Sequence, residues 1–143
     1  MEAQSCILDL LCMTTILLIQ FFKEPPPGIS SLEVELNLLF GSQMVALDNF
    51  SEGSNLAYVR KMIEASNSIR AIVWEYEGGA AKGMQPIFNA LLKKRQTVSL
   101  VTNANQGVIS KLAKALGSEL VKSEGELISV LKRQSHRSGS SGT

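Results

Sequence analysis

Glu75 and Glu77 stand two residues apart at the end of the apolar run Ile69–Trp74. In an extended chain both carboxylates project to one side. Paired carboxylates can move a proton or hold a cation. No other residue of metal-ligand type lies close in sequence, so exposed strand-end charge is the plainer reading. The next segment, Gly78 to Gly83, holds three glycines in six residues. Such a loop reaches positive φ and lets backbone approach a ligand closely. It precedes a helix start, where free N–H groups can hold an anion or meet a peptide. Asp48 follows a short apolar run, at a strand end of the kind where α/β sites lie. A loop or cap carboxylate is the alternative there. Asn103 to Gly107 is a second loop before a helix, with Asn105 placed to cap it. Lys93, Lys94 and Arg95 close a helix, where cations favour the dipole and could also meet an anion. Trp74 and Tyr76 read as core and sheet surface.

Other chemistry is excluded by composition. The 143 residues contain two cysteines, Cys6 and Cys12, and one histidine, His136. A disulfide framework and a Cys-rich zinc site have too few residues to build them, and the lone histidine sits in a polar tail, which argues against a His-dependent triad or metal site. There is no Walker A, and no G-x-G-x-x-G follows a strand. No metal site and no cofactor are expected. Net charge is +1, with 45% hydrophobic and 19% charged residues. By segment the charge is −2 over 1–28, −3 over 29–92 and +6 over 93–143. The basic end is dispersed and lacks interleaved aromatics. It reads as solvated helix faces, with no nucleic-acid partner.

The elements that would position these residues follow from periodicity. Leu32, Val34, Leu36 and Leu38 alternate with Glu33, Glu35 and Asn37, the pattern of a half-buried strand. Gly41-Ser42 makes a turn, and Met44–Leu47 a second strand, pairing with the first as a hairpin. Leu56, Val59, Met62 and Ile63 recur at helical spacing. Ile69–Trp74 reads as a central strand buried on both faces. Pro86 suits the first turn of a helix that buries Ile87, Phe88, Leu91 and Leu92. Val98–Val101 is a strand, and Val108–Leu116 a helix closed by Gly117. Leu120-Val121 is a short strand. Ser123 and Glu126 match a capping box opening a helix with Leu127, Val130 and Leu131. The order β-β-α-β-α-β-α-β-α predicts an α/β fold, a small sheet of about five strands with helix cover.

Ahead of this body, Cys6 to Phe22 is 17 residues long and apolar except for Asp9, Thr14, Thr15 and Gln20. It reads as a short membrane anchor, as a helix packed on the domain or a partner, or as an extension outside the working fold. No signal-peptide pattern is present. Pro25-Pro26-Pro27-Gly28 then forms a stiff spacer. The expected organisation is an apolar segment and spacer over 1–28, an α/β domain over 29–133 and a flexible tail over 134–143. The expected location is cytoplasmic, with membrane contact through residues 6–22 as the alternative.

An initial hairpin followed by helix-strand units ending in a helix resembles the STAS domain, the family of sulfate-transporter tails and anti-sigma factor antagonists. The resemblance runs from about Leu32 to Lys132. It rests on IRAIVWEYE as central strand, on the glycine before the second helix, and on VSLVTNANQGVISKLAKALGSELVKSEGELISVL as closing units. It implies a regulatory, non-catalytic protein-binding domain whose partner is a kinase or transporter-like protein. Many members carry a phosphorylated serine before that glycine. Gly83 and Met84 fit the pattern, but Ala80, Ala81 and Lys82 offer no hydroxyl, so the phospho-switch is absent. The surface the resemblance implies is Gly79, Ala80, Ala81, Lys82, Gly83 and Met84, with Asp48. As the alternative, SIRAIVWEYEGGAAKGM is similar to the crotonase oxyanion-hole segment. That implies a small α/β enzyme fragment with backbone donors near Ala81 and Gly83, and Gly107 as a poor second donor.

Overall fold

The computed structural model describes residues 14–51, 53–76, 84–104 and 107–140. Among these residues five strands alternate with five α-helices: β1 (Thr14–Phe21), α1 (Ser31–Phe40), β2 (Met44–Asp48), α2 (Gly53–Ala65), β3 (Ser68–Glu75), α3 (Gln85–Lys93), β4 (Val98–Thr102), α4 (Gly107–Leu116), β5 (Glu119–Leu120) and α5 (Glu124–Ser140). The sheet order is β2-β1-β3-β4-β5, and every neighbouring pair is parallel. The α/β class and the five-stranded sheet agree with the expectation from sequence.

The first strand does not. Thr14–Phe21 is the second half of the apolar run that read as an anchor or packed helix. Here it lies inside the sheet, paired along its length with β3 from Thr14↔Ser68 to Phe21↔Glu75 and with β2 on its other side. Leu17, Ile19 and Phe21 belong to one core cluster, and Ile16 and Leu18 to the other. A strand buried on both faces has no reason to alternate, so its sequence looks like a membrane segment. The boundary expected at Gly28 therefore does not separate β1 from the domain. Among the described residues no helix is long and apolar enough to cross a membrane.

The expected hairpin is also absent. Ser31–Phe40 is a helix, with Leu32 and Leu36 buried one turn apart. Alternation at i, i+2, i+4 and i+6 places 32 and 36 on one helix face and 34 and 38 on the other, so it does not by itself distinguish helix from strand. Two features favour the helix. Ser30 caps the start, its Oγ accepting from the Glu33 N–H at 3.1 Å, and Gly41 ends it at φ 57°. A helix here also supplies the crossover that parallel β1 and β2 require.

The remaining elements follow the sequence reading closely. Gly117, at φ 65°, closes α4 as the Ser118 N–H donates to Ala113 O at 3.0 Å and the Gly117 N–H to Lys114 O. Both are bonds of a Schellman cap. Ser123 Oγ accepts from the Glu126 N–H at 3.1 Å, while the Glu126 carboxylate reaches back to the Lys122 N–H. The last strand sits one residue earlier than expected. The helix of residue 124 onward continues through the expected tail to Ser140.

Two cores sandwich the sheet. Helices α2, α3 and α4 cover one face, with Val59, Ile63, Ile87, Phe88, Leu91, Ile109 and Leu112. Helices α1 and α5 cover the other, with Leu32, Leu36, Leu127, Val130 and Leu131 packed on Ile72, Trp74 and Val101.

Candidate functional site

The strand order reverses between β1 and β3. The chain leaves β1 for α1 on one face and leaves β3 for α3 on the opposite face. The two connections diverge, and a crevice opens above the carboxyl ends of these strands, where doubly wound sheets bind ligands. A hollow of about 590 Å³ lies there, lined by the loop from Phe22 to Ser30 and by Tyr76. The Phe22 and Tyr76 rings stack, centroids 4.8 Å apart and planes 9° apart. Pro25, Pro26, Pro27 and Ile29 add apolar wall, and Lys23 and Glu24 the charge at its rim.

Two asparagines hold the strand ends that frame the hollow. Asn49, just after β2, accepts the Phe22 N–H at 2.9 Å and donates to Phe22 O at 2.8 Å. Asn103, just after β4, does the same for Glu75, accepting its N–H at 2.8 Å and donating to its carbonyl at 2.7 Å. Each carboxamide acts as one more peptide group of the neighbouring strand. It continues the ladder by a residue where the backbone itself has turned away. Between the two clamped strands, the Tyr76 N–H bonds Phe21 O at 3.1 Å.

Beneath the hollow, Gln20 is 2% exposed although its side chain is polar. Its Oε1 accepts from Ser30 Oγ and from Tyr76 Oη, the latter at 2.9 Å. Its Nε2 donates to Glu33 Oε1 at 3.1 Å. A buried amide is tolerated when partnered, and this one ties β1, the start of α1 and the end of β3 together. Burial pushes the Tyr76 phenol above its ordinary pKa, with Glu124 and Glu33 adding to the rise and the Ser30 hydroxyl opposing it. The neutral phenol is the form that donates to Gln20.

The residues expected to form the site fare differently. Gly79, Ala80, Ala81, Lys82 and Gly83 lie outside the described residues, as do Glu77 and Asn105. Met84 is 1% exposed and belongs to the core against α3. It therefore has no surface to offer a partner. Asp48 is a turn carboxylate: its Oδ1 accepts the Phe50 N–H at 2.7 Å, and its own N–H donates to Ser51 Oγ at 2.9 Å. Trp74 is core, as expected. Tyr76 is part of the crevice. The basic triplet lies at the opposite, amino edge of the sheet, where Lys94 Nζ donates to Ser66 O at 2.6 Å.

Sequence reasoning missed Gln20, Ser30 and the clamping role of Asn49 and Asn103. The available signals were a lone Gln inside an apolar run and an Asn directly after two of the strands. Among the described residues no group of three His, Cys, Asp or Glu side chains could hold a metal.

No family model, curated protein or solved structure matches the chain. Its class rests on the fold: a doubly wound α/β domain with a crevice at the reversal of strand order.

Proposed function

We propose that this chain is a non-catalytic regulatory domain that takes a segment of a protein partner in the crevice above β1 and β3. The carrying observation is the chemistry of the walls. They are aromatic, proline-rich and apolar, and the stacked Phe22 and Tyr76 rings present rigid contact area of the kind that anchors interfaces. The polar groups beneath are already committed to one another. Ser30, Tyr76 and Glu33 all bond Gln20, which leaves them positioned for support rather than for proton transfer. The sequence resemblance to STAS domains points to the same class of function, but the hairpin it began from is a helix here, so the proposal stands on the crevice walls. The proposed surface differs from the one it implies, moving from residues 79–84 to the loop between Phe22 and Ser30.

Photo-crosslinking tests this reading. A photoreactive residue replaces Ile29, an exposed part of the crevice wall. A control replaces Gln96, exposed at the opposite edge. Irradiation in a native extract is expected to give a discrete protein adduct from position 29 that position 96 does not give. The same adducts from both positions, or none from position 29, would refute the assignment.

A further inference from the structure

Helix α1 carries a second apolar surface that nothing in the described fold covers. Its inner face, Leu32 and Leu36, is buried. On the outside, Val34 is 46% exposed, Leu38 82% and Leu39 42%. Val34 and Leu38 are one turn apart and share one outer face, whereas Leu39 lies about 100° round the helix, towards the buried side. A contiguous apolar stripe on a helix marks a contact surface, unlike the scattered apolar residues normal on a protein exterior.

The chain itself supplies a covering segment at the right place. Helix α1 runs antiparallel to β1, so its last turn, with Leu38 and Leu39, lies at the amino edge of the sheet. There the short helical turn Gly41–Gln43 meets β1: Thr14, Thr15, Ser42 and Gln43 line one shared hollow. Thr14 is the point from which residues 1–13 extend. Of these, Cys6-Ile7-Leu8-Asp9-Leu10-Leu11-Cys12-Met13 is apolar except for Asp9. Eight residues span about 12 Å if helical and up to about 27 Å if extended. The stripe from Val34 to Leu38 rises only about 6 Å along the helix. The segment therefore reaches the stripe in either conformation. Tethering also gives it a local concentration of millimolar order, which a free partner or second copy must exceed.

We infer that residues 6–13 dock on the outer face of α1, against Val34 and Leu38, and so form part of the folded domain. This gives the first half of the apolar run the same destiny as the second, which is β1. Both then pack on the domain.

The native cysteines are the reporters. Both lie in this segment and the rest of the chain has none. Leu38→Cys places a thiol on the stripe at a well-exposed position. Ala65→Cys places one at the same edge, since Ala65 lines the hollow with Thr14, but at the end of α2 on the other face of the sheet. Each is made in full-length chains that keep one native cysteine, Cys6→Ser or Cys12→Ser, and is oxidised with diamide at low protein concentration. In at least one background, Leu38→Cys is expected to form an intrachain disulfide at least about tenfold faster than Ala65→Cys, as local concentration on one face requires. Equal rates would overturn the inference, because the segment would then favour neither face. No intrachain bond at Leu38→Cys would also overturn it. A disulfide-linked dimer whose yield rises with protein concentration would assign the stripe to a second copy instead.

Discussion

Asn103→Ala removes the carboxamide that holds the end of β3 and leaves the rest of the β3–β4 ladder in place. Two bonds are lost, at 2.8 and 2.7 Å, both to the backbone of Glu75. A neutral intramolecular hydrogen bond contributes about 0.5–1.5 kcal/mol net, and an unsatisfied buried partner raises the cost. Asn103 is half-buried, so water can reach part of the freed Glu75 peptide. The expected loss is therefore about 1–3 kcal/mol. For a chain near 150 residues, 2 kcal/mol corresponds to about 4–8 °C in Tm. Urea unfolding of the purified chain, with the m-value held in common, measures it directly. Asn103→Asp sharpens the test. At neutral pH the carboxylate still accepts the Glu75 N–H but faces the Glu75 carbonyl without a proton to donate. Protonation restores the donor, so the folded state raises this carboxyl's pKa above the unfolded value near 4. That favourable contribution is present below the unfolded pKa and fades as pH rises through the folded one. The deficit of Asn103→Asp should thus shrink below about pH 4, relative to the unmodified chain at each pH. Asn103→Ala within about 0.3 kcal/mol of the unmodified chain would refute the clamp, since even one such bond contributes more.

Two further outcomes test the network beneath the crevice. Ser30→Ala should destabilise more than Ser123→Ala, because Ser123 only caps a helix, costing about 1 kcal/mol when lost, whereas Ser30 caps α1 and also donates to Gln20; parallel chemical denaturation decides it. The raised Tyr76 pKa means that the neutral phenol contributes stability below the unfolded pKa near 10 and that this is lost as pH rises through the folded value; Tyr76→Phe should flatten the fall in stability measured above that pH.

Which parts of this architecture could be read from the chain depended on whether a local pattern had one physical solution. Ile69–Trp74 is short, rich in β-branched residues and bounded by polar residues, so a central strand was its natural fate. The stripes Val59/Ile63, Ile87/Leu91 and Ile109/Leu112/Leu116 fit only a helix. Their caps at Gly117 and Ser123 are local chemistry that works the same way in any surroundings. These features determined the α/β class, four of the five strands and the helices that follow residue 53. Two segments had more than one solution. An unbroken apolar run satisfies a bilayer, a packed helix or a strand covered on both faces, and only the presence of β2, β3 and two helix layers selects the strand for Thr14–Phe21. An i, i+2, i+4 repeat suits a strand or a helix with two apolar faces, and the Ser30 cap and Gly41 end together with the parallel β1–β2 crossover select the helix for Ser31–Phe40. Those two choices also create the candidate site. The crevice exists because β1 and β3 are neighbours whose connections leave in opposite directions, and Gln20, Ser30 and Tyr76 meet across 56 positions of sequence. Contacts of that range have no local signature. The residue types determine what the crevice can touch, but the strand order alone brings them together.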